Sequence, residues 1–366
     1  MPLLNLTCSV FFGNFDHAVT SGALLSYTQI NQNGIRQVLA IFRTNQLLAS
    51  ILLVFYIALV RVSVWLVPAT WEPSGYGPLS EWVYSRIGYA GPTADIVAMA
   101  ILLAHAFFLN YLISEHRLAS AVSLFPGLFY ILVSSMLPEF LHLSPLLMAN
   151  TFFIIVLAEI FATYKNVECS ARIFNIGFWA GVGSLFYPSY LFLFILGFVG
   201  LNILRAFKIR ERLMVLTGLV TPYLLLSAYY FWTGQFFTFW QERLPSSIAF
   251  LDFVPTPNWL FLRSLAIFII LILVVLFSYR SYIVKQTMQV QRKLNILFWG
   301  LLTTSFSLLI QADIEIGHLL VTAVPLGIML SFNFIRMPNR MAEVIHLLIV
   351  VIVLFLQFSD WLMPAL

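Results

Sequence analysis

Residues 311–318 read Gln311-Ala312-Asp313-Ile314-Glu315-Ile316-Gly317-His318, two carboxylates and an imidazole between the apolar runs 294–310 and 319–334. Oxygen and nitrogen donors of this kind suit a divalent cation, with Asp313 and Glu315 as its ligands, although carboxylates at i and i+2 plus a histidine match no standard metal signature. Each flanking run is long enough to cross a bilayer, so the turn belongs at a membrane surface or just beneath it, where charge points to function. Similar groups recur at Glu72, at Glu139 and His142 in Pro138-Glu139-Phe140-Leu141-His142, and at Arg61 inside an apolar stretch. Arg61 needs a partner, either a carboxylate in a structural ion pair or a ligand phosphate. For the loop acids the plain alternative is a solvated charge. His105 and Glu159 read as polar groups satisfied by neighbouring helices. Gly-rich phosphate loops, Cys/His clusters and Ser/His/Asp spacings are absent from the sequence.

The elements that must position these groups follow from composition. The 366 residues are 61% hydrophobic and 9% charged, with a mean hydropathy of +0.94. Apolar content is spread over repeated runs of about 17 to 22 residues, which predicts an all-α polytopic membrane helix bundle of about eleven transmembrane helices. Residues 1–40 form a cytoplasmic N-terminal arm without signal-peptide character, and 41–366 a single transmembrane domain. The expected spans are 47–67, 95–113, 121–137, 145–163, two short ones within 173–204 that meet at Pro188, then 213–232, 259–279, 294–310, 317–334 and 341–358. Residues 79–87 suit a short helix on the membrane surface, and the aromatic stretch 233–258 a segment half-sunk among lipid headgroups.

Charge orients the bundle. With the N-terminus cytoplasmic, all of the 19 Lys and Arg except Arg61, Arg86, Arg243 and Arg263 fall on cytoplasmic segments. The outer face then holds Glu72, Glu81, Asp95, Glu139, Glu242, Asp252, Asp313, Glu315 and Asp360. The basic balance therefore reports orientation in a lipid bilayer, and no nucleic acid is expected as a partner. Cys8 and Cys169 read as free cytoplasmic thiols, and the same topology makes the Asn5-Leu6-Thr7 sequon irrelevant.

The chain carries Phe42-Arg43-Thr44-Asn45-Gln46, Leu137-Pro138-Glu139-Phe140-Leu141, Leu147-Met148-Ala149-Asn150, Gly181-Val182-Gly183-Ser184-Leu185-Phe186-Tyr187, Gly218-Leu219-Val220-Thr221-Pro222-Tyr223 and Tyr229-Tyr230-Phe231-Trp232-Thr233. On these stretches, from about Arg43 to Trp240, it resembles a family of uncharacterised bacterial multi-pass inner-membrane proteins. More distantly, the layout is similar to membrane glycosyltransferases of the C-type fold, which use polyprenyl-phosphate-linked sugars. That likeness implies a catalytic carboxylate at Glu72, in the first outer loop, and a basic residue at His318 ahead of Val324-Pro325-Leu326. The first outer loop departs from the pattern: it is short, lacks an aspartate pair and places Pro73 directly after Glu72. Three readings stay open. One is a glycosyltransferase-like protein of the bacterial inner membrane handling lipid-linked sugar at its outer face. There Glu72 would be the general base, Arg61, His318, Glu139 and His142 would bind substrate, and Asp313 and Glu315 a cation. The others are a non-catalytic subunit docking a membrane protein partner in the cell envelope, and a transporter.

Overall fold

The computed structural model describes residues 38–43, 47–66, 71–73, 75–119, 122–166, 168–238, 240–241, 259–284, 286–307 and 316–362. Asp313, Glu315, the 1–37 part of the N-terminal arm and 242–258 of the aromatic stretch lie outside the described residues. Among those described, all regular structure is helical: α1 Val38–Phe42, α2 Leu47–Val60, α3 Ser63–Leu66, α4 Pro78–Ile87, α5 Pro92–Glu115, α6 Phe125–Val133, α7 Pro145–Ala162, α8 Ser170–Phe186, α9 Leu193–Leu204, α10 Ile209–Trp232, α11 Phe236–Thr238, α12 Trp259–Ile283, α13 Met288–Ser307, α14 Ala323–Arg336 and α15 Asn339–Leu362. Among the described residues six helical stretches are long and apolar enough to cross a membrane: Pro92–Glu115, Pro145–Ala162, Ile209–Trp232, Phe261–Ile283, Ile316–Arg336 and Asn339–Phe358. The described residues are thus those of a helical membrane protein.

Several expected spans take another form. The 121–137 segment yields only α6, whose nine residues rise about 14 Å, half of a bilayer core. All nine are buried, so protein surrounds α6 and a short helix is tolerated there. The 47–67 segment is interrupted at Arg61 and Val62 between α2 and α3. The 317–334 segment opens as a 3₁₀ helix, Ile316–Thr322, before α14.

The 173–204 segment breaks at Tyr187, where α8 ends and a 3₁₀ turn, Pro188–Phe192, leads into α9. Proline offers no amide to continue the ladder. The two helices then double back: a Cβ on Gly183 would sit 3.7 Å from Tyr190 Cβ, and one on Gly197 only 2.6 Å from Ile176 Cγ2. Positions progressively farther from the turn meet each other, as an antiparallel hairpin requires. α10 lies parallel to α8, because Gly177 faces Val215 O and Gly181 faces Leu219 O, while Gly218 faces Phe174 O. A Cβ at Gly177 would sit 1.9 Å from that carbonyl. Small residues let the backbones touch, which is how helices gain contact where lipid supplies no hydrophobic drive.

Polar contacts gather the connecting segments at two ends. At one end Arg43 donates to Phe334 O and Met337 O, Arg205 to Thr163 O, Arg336 to Tyr282 O, and Lys293 lies over Phe161 and Tyr164. At the opposite end lie 71–73, 75–77, 134–144, 186–192 and 316–322. Between them the core is apolar with inserted polar pairs. His105 is bonded to Tyr130 at 2.9 Å and Thr151 at 2.7 Å, and Glu159 accepts from Arg172 at 3.1 Å and Asn175 at 3.2 Å. Cys169 is a free, buried thiol.

Candidate functional site

Arg61 is fully buried where α2 gives way to α3. Its guanidinium donates to Ser135 Oγ at 3.0 Å, Leu141 O at 2.9 Å, Ser134 O at 3.0 Å and Phe140 O at 3.0 Å. These acceptors close two helical segments, α6 and the 3₁₀ turn Pro138–Phe140, whose last carbonyls lack intrahelical donors and carry partial negative charge. The carboxylate partner expected for Arg61 is therefore replaced by a cage of carbonyls, and its donors are committed to protein atoms. Gln357 extends the cage, donating to Val60 O at 3.0 Å and to Ser135 O, while accepting from Ser63 at 2.7 Å.

Beyond this anchor the chain presents His142. Its Nδ1 lies 3.4 Å from Asp95 Oδ1, near the long limit of a hydrogen bond, and its ring stacks on Trp71 with centroids 5.5 Å apart. Both side chains of the pair are 13% exposed. Burial pushes the His142 imidazole below its usual value, and the hydrogen bond and charge of Asp95 pull the other way. Since a carboxylate only accepts, Nδ1 carries the proton of a neutral ring and Nε2 is left as a lone-pair acceptor. Apo geometry of this length is common in pairs that tighten on substrate. Asp95 sits in the first turn of α5, where the helix dipole favours its charge.

Other loops dock alongside. Gly77 N donates to Phe186 O at 2.8 Å, Ser80 to the same carbonyl at 2.9 Å and Tyr84 to Leu143 O at 2.8 Å. A Cβ at Gly77 would sit 2.1 Å from Leu185 O, so only glycine permits this approach. The turn carrying Glu139 packs against the 3₁₀ helix carrying His318, whose ring lies 5.3 Å from that of Tyr187. Tyr190 donates to Asn150 Oδ1 at 2.7 Å, and Asn150 to Leu320 O at 3.2 Å, tying α7 to both broken segments.

The structure thus gathers Arg61, Glu139, His142 and His318 on adjoining turns at one end. Glu72 is exposed, one residue from the Trp71 that covers His142. Asp313 and Glu315 lie outside the described residues, and among the described ones no group of three His, Cys, Asp or Glu stands ready to hold a metal ion. Sequence reasoning placed Asp95 only among the outer acids and did not single out Trp71. The available signal was that Asp95 and His142 fall at the same membrane level. No known family, no curated protein and no solved structure matches this chain.

Proposed function

We propose that this is an inner-membrane protein of bacterial type, N-terminus cytoplasmic, which handles a polyprenyl-phosphate-linked sugar at the end where His142 lies, the outer face. The distant likeness to C-type glycosyltransferases supplies the substrate class; the observation that carries the reading is the His142–Asp95 pair under Trp71, at 3.4 Å, on loops locked together by Arg61 and Gly77. A neutral imidazole oriented by a carboxylate is a general base, and an indole face suits a sugar ring. In the proposed step an acceptor hydroxyl attacks the anomeric carbon and its proton passes to Nε2 of His142. The bond to the phosphate oxygen breaks, and polyprenyl phosphate leaves with the electron pair. Glu72, at the rim of the same loop, contributes a second carboxylate. Arg61 acts by positioning the 134–141 backbone, since its donors already hold carbonyls.

The test is lipid extraction and mass spectrometry on protein purified from native membranes, followed by incubation with a radiolabelled polyprenyl-phosphate hexose in nanodiscs. Enrichment of the polyprenyl lipid, and release of labelled sugar that H142Q and D95N both abolish, are expected. Retention of bulk phospholipid only, with no turnover, sinks the transferase reading and leaves a non-catalytic envelope subunit. Orientation is checked separately: an impermeant maleimide that modifies a cysteine at 286 but not one at 72 in intact cells overturns it.

A further inference from the structure

The opposite end of the bundle carries a site that the transferase reading does not use. α10 begins at Ile209 with Lys208 at its N-cap and Arg210 and Arg212 in its opening turn, and the N-cap side chain makes no capping bond. Peptide dipoles concentrate positive potential at a helix N-terminus, which favours acids there and disfavours clustered cations. Glu211 acts on these cations only through space, because its hydrogen bonds go to Arg205, with Nε at 3.3 and 3.2 Å and Nη2 at 3.0 Å.

Arg212 is the anomaly. It is 3% exposed, yet its Nε and Nη1 are buried with no hydrogen-bond partner. Nη2 alone meets an acceptor, Asn202 Oδ1. Among the described residues no carboxylate pairs with it. The guanidinium rests between Phe198, 5.8 Å away, and Phe207, 5.4 Å away. A buried cation with unfilled donors is strongly adverse unless an anion joins it. Membrane orientation explains a basic loop in water, but it does not explain burying Arg212 with open donors.

An oxyanion answers both problems, and phosphate matches guanidinium donors and helix N-termini alike. Phe207 and Ile209 alternate with Lys208 and Arg210 and are 69% and 66% exposed. Apolar and cationic side chains interleaved at the end of a membrane helix suit the level where headgroup phosphates lie above acyl chains. We propose that the start of α10 binds the phosphate of an anionic phospholipid headgroup. Arg212 is its buried anchor, Lys208 and Arg210 are the outer contacts, and Phe207 swings from the guanidinium into the acyl chains.

Native mass spectrometry of the full-length protein, titrated with dioleoylphosphatidylglycerol, dioleoylphosphatidylcholine or inorganic phosphate, tests this. Phosphatidylglycerol binds the wild type, R212Q binds it about tenfold more weakly, as loss of one charge-assisted contact implies, and K208Q/R210Q is also weakened. R280Q/R292Q, which removes the same charge at two exposed sites elsewhere, leaves binding unchanged. If R212Q does not fold, R212K, which keeps charge but not the planar donor set, shows the weakening. Wild-type affinity in R212Q or R212K, or equal loss in R280Q/R292Q, overturns the site. Equal binding of phosphatidylcholine, or displacement of the lipid by equimolar inorganic phosphate, overturns the lipid assignment.

Discussion

Replacing Arg61 by Met separates positioning of the 134–141 backbone from direct ligand binding. The substitution keeps an apolar side chain of similar length and removes the four hydrogen bonds to Ser134, Ser135, Phe140 and Leu141. Three of the acceptors are backbone carbonyls, and a buried carbonyl left without a donor costs about 1–3 kcal/mol. Against that, the variant no longer buries a charge, which returns several kcal/mol. The net expectation is a loss of about 3 kcal/mol, or roughly 5 °C in the melting midpoint of a chain this size. R61K fails similarly, because one ammonium cannot span carbonyls on two separate turns. Thermal unfolding in detergent gives the magnitude, and hydrogen exchange gives the place: protection falls first across 134–144, the backbone that presents His142. A variant that melts with the wild type and keeps 134–144 protected, while losing only polyprenyl-lipid retention, refutes the positioning role and returns Arg61 to the ligand.

Two further outcomes are expected. G77A drives a methyl to within 2.1 Å of Leu185 O, and because backbone cannot yield as a flexible side chain does, the 71–77 loop undocks at about 1–3 kcal/mol or more. G300A, whose methyl meets only ordinary contacts from 3.6 Å outward, is tolerated, and limited proteolysis at 71–77 distinguishes the two variants. His116, at the C-cap of α5 and edge-on to Phe161, is pushed from 6.5 down to about 4 by burial, with the Lys293 charge adding to the effect. The unfolded chain then binds the proton that the folded one refuses, so stability is full above pH 6.5 and declines as pH falls toward 4. H116Q makes that limb of the melting-temperature profile shallower, His142 keeping its own part of it, and an unchanged limb refutes the assignment.

The sequence by itself determined what depends on local composition. Long continuous runs of apolar residues with few charges specify helices in lipid, because a helix satisfies its backbone amides within a single segment. Pro188 specified a break within 173–204, since proline removes an amide wherever it stands, and the structure turns at Tyr187–Pro188. The short helix expected at 79–87 forms as Pro78–Ile87. Only the tertiary structure decided what each polar group meets. Arg61 reads as a cation needing a counter-charge, but its neighbours are the carbonyl ends of α6 and of the turn at Glu139, separated from it by more than seventy residues of chain. The nine-residue α6 reads as part of a full span until packing shows that protein encloses it. His142 and Asp95 share a membrane level in the expected topology, yet their pairing depends on the lateral order of helices. That order is fixed by close backbone contacts such as Gly177 on Val215 and Gly327 on Tyr130, and no one-dimensional pattern records which faces meet.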